Sequence, residues 1–256
     1  MIVLLSPAKT LDFNPVDLAT VTQPRMLDKT AELVAVLKKK SPKKLGELMS
    51  ISEKLSEQNA ARFQAFDEAD SLASAKPALL AFKGDVYRGL EADMFDPGDL
   101  AWAQDHVRVL SGMYGLLRPF DLIQPYRLEM GTNLKVGRKK NLYEFWGDRI
   151  TRLLKADIAA TNAKFVLNAA SKEYVESIDK EALGIPVIEA DFRERRSGKL
   201  KFITFNAKVA RGKLAQLVVR EKITELKGLE DLDVNGYCYD AERTTEGMVA
   251  FTKEEA

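Results

Sequence analysis

Five segments of this sequence end an apolar, strand-like run in a small polar residue or a cation. The residues at those ends are the ones that could do chemistry. The segments are Ile2-Val-Leu-Leu-Ser6-Pro-Ala-Lys9, Leu79-Leu-Ala-Phe-Lys83-Gly84, Val107-Arg-Val-Leu-Ser111-Gly112, Phe165-Val-Leu-Asn168-Ala-Ala-Ser171 and Lys201-Phe-Ile-Thr-Phe-Asn206-Ala-Lys208. Placed in one sheet with one polarity, their loops share a rim, where helix N-termini and free backbone amides converge on ligands. That rim would hold Ser6, Lys9, Lys83, Ser111, Asn168, Ser171, Asn206, Lys208 and Arg211. Hydroxyls, amides and cations with few carboxylates suit phosphate or another small anionic ligand. Ser and Asn at such ends also serve as plain helix caps. Several cations in the same context do not fit that plainer role.

Two further segments are richer than connecting loops need to be. Leu110-Ser-Gly-Met-Tyr-Gly-Leu-Leu-Arg-Pro119 carries Tyr114 and Arg118, and Gln124-Pro-Tyr-Arg-Leu-Glu-Met-Gly131 carries Tyr126, Arg127 and Glu129. Guanidinium forks match phosphate oxygens, so Arg118 and Arg127 read as clamps. The alternative for Arg127 is an ion pair with Glu129 across one residue of an extended run. Tyr114 and Tyr126 could stack on unpaired bases. If the rim is catalytic, the candidates are Lys9, Glu129, Ser171 and Glu173.

Other chemistries lack their residues. Neither a GxxxxGK[ST] loop nor a GxGxxG turn is present. His106 is the sole imidazole and Cys238 the sole thiol, which excludes Cys/His zinc sites and leaves nucleophilic triads without a base. No metal and no cofactor is expected. Cys238, between two tyrosines, reads as a buried, inert thiol.

The elements that must position these groups alternate between strand and helix signals. Helices are expected over 27–40, then from Ser41-Pro42 as N-cap and first residue through Met49, then from a Ser50-Ile-Ser-Glu53 capping box. Apolar stripes predict two more over 141–160 and 207–223, and the last 25 residues read as an antiparallel pair. The fold class is therefore α/β (mixed α+β), a single domain over 1–256 with a central mixed sheet flanked by helices. No apolar run approaches membrane-spanning length and the N-terminus lacks a secretory leader, so a cytoplasmic protein without a membrane partner is expected. The net charge of +1 hides blocks of +2, −5, +6, −4, +8 and −6 along the chain. Such blocks either segregate into a basic surface or neutralise each other.

The opening Leu-Ser-Pro-Ala-Lys-Thr-Leu-Asp12 resembles the start of the YaaA family of peroxide-stress proteins. So do Ala81-Phe-Lys-Gly-Asp-Val-Tyr87, the two segments 110–119 and 124–131, Leu142-Tyr-Glu-Phe-Trp-Gly-Asp148, Ser171-Lys-Glu-Tyr174, Ala207-Lys-Val-Ala-Arg-Gly212 and Gly236-Tyr237. The resemblance spans nearly the whole chain, in order. It implies a cytoplasmic protein of hydrogen peroxide defence, tied to lowering free iron, that binds double-stranded and branched DNA through a basic cleft. It further implies an uncommon mixed α/β fold with a helix-hairpin-helix-like element, which falls at 41–66. The turn of that element has no glycine here, so Ser50 and Ser52, with Lys43, Lys44 and Lys54, would have to meet the phosphates.

Overall fold

Ile2–Leu5 has no polar face, so it must be covered on both sides; it forms an interior strand of the sheet, fully buried. The computed structural model describes residues 1–16, 20–67 and 74–254. In the first third the elements are β1 (Ile2–Leu5), β2 (Thr10–Leu11), α1 (Leu27–Lys38), α2 (Pro42–Met49), α3 (Glu53–Ala65), β3 (Lys76–Pro77), α4 (Ala78–Ala81), β4 (Phe82–Lys83) and α5 (Asp85–Leu90). Next come α6 (Pro97–His106), β5 (Val107–Ser111), β6 (Gly115–Leu117), β7 (Leu122–Ile123), α7 (Leu142–Trp146), α8 (Arg149–Thr161) and β8 (Val166–Asn168). The last are α9 (Lys172–Val175), α10 (Lys180–Leu183), β9 (Val187–Arg196), β10 (Lys199–Lys201), α11 (Thr204–Arg220), β11 (Cys238–Tyr239) and β12 (Met248–Lys253).

The main sheet has eight strands among the described residues, in the order β11-β12-β9-β8-β1-β5-β6, with β10 paired to β9. β5, β1, β8, β9 and β12 run parallel, and β6, β10 and β11 run against their neighbours. The mixed α/β class expected from the sequence is therefore the fold. Three of the five strand-ending segments form β1, β5 and β8, whose carboxyl ends share one edge.

The other two segments differ. Residues 78–81 wind into a helical turn after Pro77, which has no N–H to donate to a ladder, and only Phe82–Lys83 is extended, pairing with β2 outside the main sheet. Residues 204–206 are helical because the ladder of β10 on β9 ends at Lys201 and the chain then turns into α11. The expected 141–160 helix breaks at Gly147, whose φ of +52° ends α7. Ser50 is not an N-cap: it takes the left-handed conformation (φ 51°) that closes α2, and Ser52 caps α3 by accepting from the Leu55 amide. Cys238 is exposed rather than buried, because the short β11 lies at the sheet edge.

Two contacts fix helices that the sheet alone would not hold. The first is a backbone-to-backbone crossing of α5 and α11. A Cβ on Gly89 would lie 2.0 Å from the Val209 carbonyl oxygen, and one on Gly212 would lie 1.8 Å from that of Val86. Only glycine allows this approach. The second is Asp157 on α8, which accepts from Arg25 at 2.6 and 2.9 Å and from Arg108 Nε at 2.6 Å. Burial pushes its carboxyl up, but the hydrogen bonds and charges of the two arginines outweigh this and hold it below its ordinary range.

Both contacts have measurable consequences. Gly212→Ala must move one helix backbone and is expected to cost about 3 kcal/mol or more, lowering Tm by roughly 6–12 °C. Gly247→Ala, where a Cβ meets nothing within 4 Å, serves as the control and should stay within about 1 kcal/mol. Asp157→Asn should cost about 3–5 kcal/mol, because it leaves the buried Arg108 and the partly buried Arg25 without a charge partner. The stabilisation from Asp157 is complete above its unfolded pKa of about 3.9 and is lost as pH falls through the lower folded value. Urea titrations over the acid range should therefore show a shallower loss of stability in the variant; equal slopes would contradict this linkage.

Candidate anion-binding site

The loop after β1 is the floor of a cavity of about 480 Å³ at the carboxyl ends of the parallel strands. Ser6 joins it to the loop after β8, its Oγ accepting from the Ser171 amide at 2.8 Å and lying 3.4 Å from Ser171 Oγ. Tyr87 on α5 donates to the Ser6 carbonyl at 3.0 Å, which fixes that helix to the same loop. The ladder of β2 on β4 pairs Thr10 with Lys83, so Lys9 and Lys83 share one wall.

The opposite wall is the extended run 126–131. Gly112, just past β5, lets this run pass close by: a Cβ there would lie 2.4 Å from the Leu128 carbonyl oxygen. Ser111 Oγ and Tyr126 Oη are 2.7 Å apart, which locks the tyrosine. Glu129 takes Lys9 Nζ at 2.7 Å and an Arg127 Nη at 3.3 Å. Glu173 accepts from the Gly131 amide at 2.8 Å. The third wall is α11, which supplies Lys208 and Arg211 through the glycine crossing with α5.

Cations outnumber carboxylates here: Lys9, Lys83, Arg127, Lys208 and Arg211 face Asp85, Glu129 and Glu173. Arg211 stands out. Burial draws its pKa down, with the more distant Glu189 and Asp191 opposing, and it has no ion pair among the described residues. Its Nε and that of Arg127 are buried with no acceptor, a property shared among the described residues with Arg25. Orphaned buried donors are uncommon and call for a partner. Burial also pushes the phenols of Tyr87, Tyr126 and Tyr174 upward, so they act near neutrality as hydroxyl groups and not as bases.

Of the residues singled out in the sequence, the cavity gathers Ser6, Lys9, Lys83, Tyr126, Arg127, Glu129, Ser171, Glu173, Lys208 and Arg211. Arg118 lies elsewhere, with its guanidinium on buried Asp121 and the Gln23 carbonyl. Tyr114 is 1% exposed and its hydroxyl takes the Gln124 amide, so neither it nor the buried Tyr126 presents a ring for stacking. Ser111 is buried, Asn168 donates to Glu189, and Asn206 donates to Glu194. Lys43, Lys44 and Lys54 are exposed on α2 and α3, which pack together around the close approach of Gly46 to Ser56. Asp85, Tyr87 and Tyr174 complete the walls; composition and spacing did not single them out.

A larger cavity of about 710 Å³ lies between Phe13–Val16, α3 and Pro125. Its walls are mainly apolar, and of its two cations Lys76 is 3.7 Å from Asp12. Hydroxyls, carboxylates and cations converge in the smaller cavity, which is therefore the candidate site. Among the described residues, no group of three or more His, Cys, Asp or Glu could hold a metal ion, and no helix is long and apolar enough to cross a membrane.

A family model described as peroxide stress protein YaaA matches residues 1–243. UPF0246 proteins of Bordetella pertussis, Bordetella parapertussis and Bordetella bronchiseptica are each 45% identical over 257 aligned positions, which span the whole of this chain and of each relative. With the family model over residues 1–243 and relatives 45% identical over the full chain, the chain belongs to the YaaA family of peroxide stress proteins.

Proposed function

We propose that this peroxide-stress protein works by binding a phosphorylated, nucleotide-like ligand in the cavity at the carboxyl ends of β1 and β8. The observation that carries this reading is Arg211, a half-buried guanidinium whose Nε is buried without an acceptor and which has no ion-pair partner among the described residues, in a cavity shared with four other cations. A buried charge without a counter-ion costs several kcal/mol. A phosphate would offset that cost by accepting charge-assisted hydrogen bonds from the cations that line the cavity. The volume of about 480 Å³ lies within the range of about 300–1,000 Å³ common to small-ligand sites. If a reaction follows binding, Glu129 and Glu173 are the groups placed to move protons, with Lys9 paired to Glu129 and Ser171 positioned by Ser6.

A second reading, DNA binding, is favoured by the α2–α3 hairpin. Lys43, Lys44 and Lys54 are exposed there, with no ion pair among the described residues. Ser50, in the left-handed region, supplies the sharp turn that glycine would otherwise make. This surface would grip the phosphates of duplex and branched DNA without reading bases, and shielding that DNA would limit iron-dependent oxidative damage.

The two readings separate experimentally. Lys83→Ala and Arg211→Ala should keep or slightly raise Tm, since each relieves cation repulsion. The same changes should weaken binding of a nucleoside monophosphate by roughly tenfold or more and lower survival under peroxide. A fall in Tm with preserved survival would assign these residues to structural ion pairing instead.

For the hairpin, affinity for unrelated duplexes should fall steeply with salt. The Lys43→Ala, Lys44→Ala, Lys54→Ala triple variant should reduce the slope by about one for each phosphate it no longer neutralises. Salt-independent binding, or preference for one sequence, would count against it.

A further inference from the structure

Phe205 is a large apolar side chain that the fold does not use. It lies in the first turn of α11, is 50% exposed, and is outside the core cluster. The Arg88 guanidinium sits 5.7 Å from its ring centroid, and half of the side chain remains exposed with that group in place. Arg88 has no ion pair among the described residues.

Position makes this ring informative. Lys208 follows Phe205 by three residues on α11, and Asp85 precedes Arg88 by three on α5. Residues three apart share a helix face, and both Lys208 and Asp85 line the basic cavity. The glycine crossing holds the two helices backbone to backbone. The Phe205–Arg88 pair is therefore fixed at the margin of the cavity, one helical turn from its cations.

We infer that Phe205, held by Arg88, is the platform on which the base of a nucleoside phosphate stacks while its phosphate occupies the cavity. The inference rests on the phosphate-binding reading above and adds the part of the ligand that the cavity cations cannot recognise. An aromatic face beside phosphate-binding cations matches a ligand with a flat π-system at one end and a dianion at the other. Stacking on an exposed aromatic ring tolerates any base, and arginine against the ring adds a cation–π contribution. Among the described residues the buried Tyr114 and Tyr126 cannot take this role, whereas Phe205 presents its ring to solvent.

The test compares inorganic phosphate, ribose 5-phosphate and AMP by calorimetric titration of the full chain and of Phe205→Ala, Phe205→Tyr and Arg211→Ala variants. The unmodified protein should bind AMP about tenfold more tightly than ribose 5-phosphate. Phe205→Ala should bring the two to the same affinity, Phe205→Tyr should restore the preference, and Arg211→Ala should weaken all three probes together. Equal binding of AMP and ribose 5-phosphate by the unmodified protein, or a preference that survives Phe205→Ala, overturns this inference and leaves the phosphate site standing. Failure of all three probes to bind overturns both. Sedimentation at several concentrations supplies the remaining arm: self-association abolished by Phe205→Ala would make this ring a contact between copies and overturn the assignment.

Discussion

The crossing of α5 and α11 at Gly89 and Gly212 is the constraint on which the candidate site depends. Two helices normally pack with about 8–10 Å between their axes, set by the side chains between them. Here no side chain intervenes, and a single Cβ on either glycine would overlap a carbonyl oxygen. α5 is in turn tied to the end of β1 through Tyr87 and the Ser6 carbonyl. The chain of contacts thus runs from β1, through one phenol on α5, to α11, which begins at Thr204. Widening the crossing would carry Lys208 and Arg211 away from Lys9 and Lys83, leaving two half-sites with no shared anion.

The electrostatics divide the arginines into two kinds. Arg25 and Arg108 meet one carboxylate that joins the segment before α1 to β5 and α8; Arg118 meets Asp121; Arg193 and Arg243 both meet Asp191. The Arg25, Arg108 and Arg193 pairs join basic to acidic blocks of the sequence, so part of the charge alternation is neutralised across the fold. Arg211 and the Nε of Arg127 do not follow that pattern. Isolated buried charge is costly in the free protein, so Arg211, half-buried and without an ion pair among the described residues, is the group in this cavity with most to gain from a compact anion.

Much of this is legible in the sequence, for identifiable reasons. β1, β5 and β8 are short apolar runs ended by Ser or Asn, and such runs have few alternatives to a buried parallel sheet. Of the rim cations, Lys9 follows from the position of β1, whereas the Lys83 and Lys208 segments are not strands of the main sheet. Lys83 reaches the rim through a two-residue ladder and Lys208 through the glycine crossing, both long-range contacts that no local pattern encodes. β9, the longest strand, is not among the expected elements, although its Val-Ile-Glu-Ala-Asp-Phe-Arg-Glu-Arg-Arg alternation is that of a strand covered on one face. The tyrosines differ for another reason. Tyr114 and Tyr126 lie among glycines and cations in sequence, but their burial depends on packing between β5 and the 126–131 run, which local sequence does not reveal.

Scale decides which ligand the cavity suits. The DNA major groove is about 12 Å wide and its duplex presents phosphates continuously along both strands. A surface that grips duplex DNA distributes exposed cations over that length; Lys43, Lys44 and Lys54 are exposed on α2 and α3. The cavity does the reverse: it concentrates five cations around about 480 Å³ and buries the Nε atoms of two of them. Desolvated donors arranged this closely gain most from one compact, multiply charged group that can approach them all. A phosphate of a small molecule meets that condition, as does a terminal phosphate of a nucleic acid strand, whereas phosphates within an intact duplex are held apart by the helix itself. The hairpin and the cavity are thus two surfaces with different physical requirements, and a nucleic acid that occupied both would have to present a free end to the second.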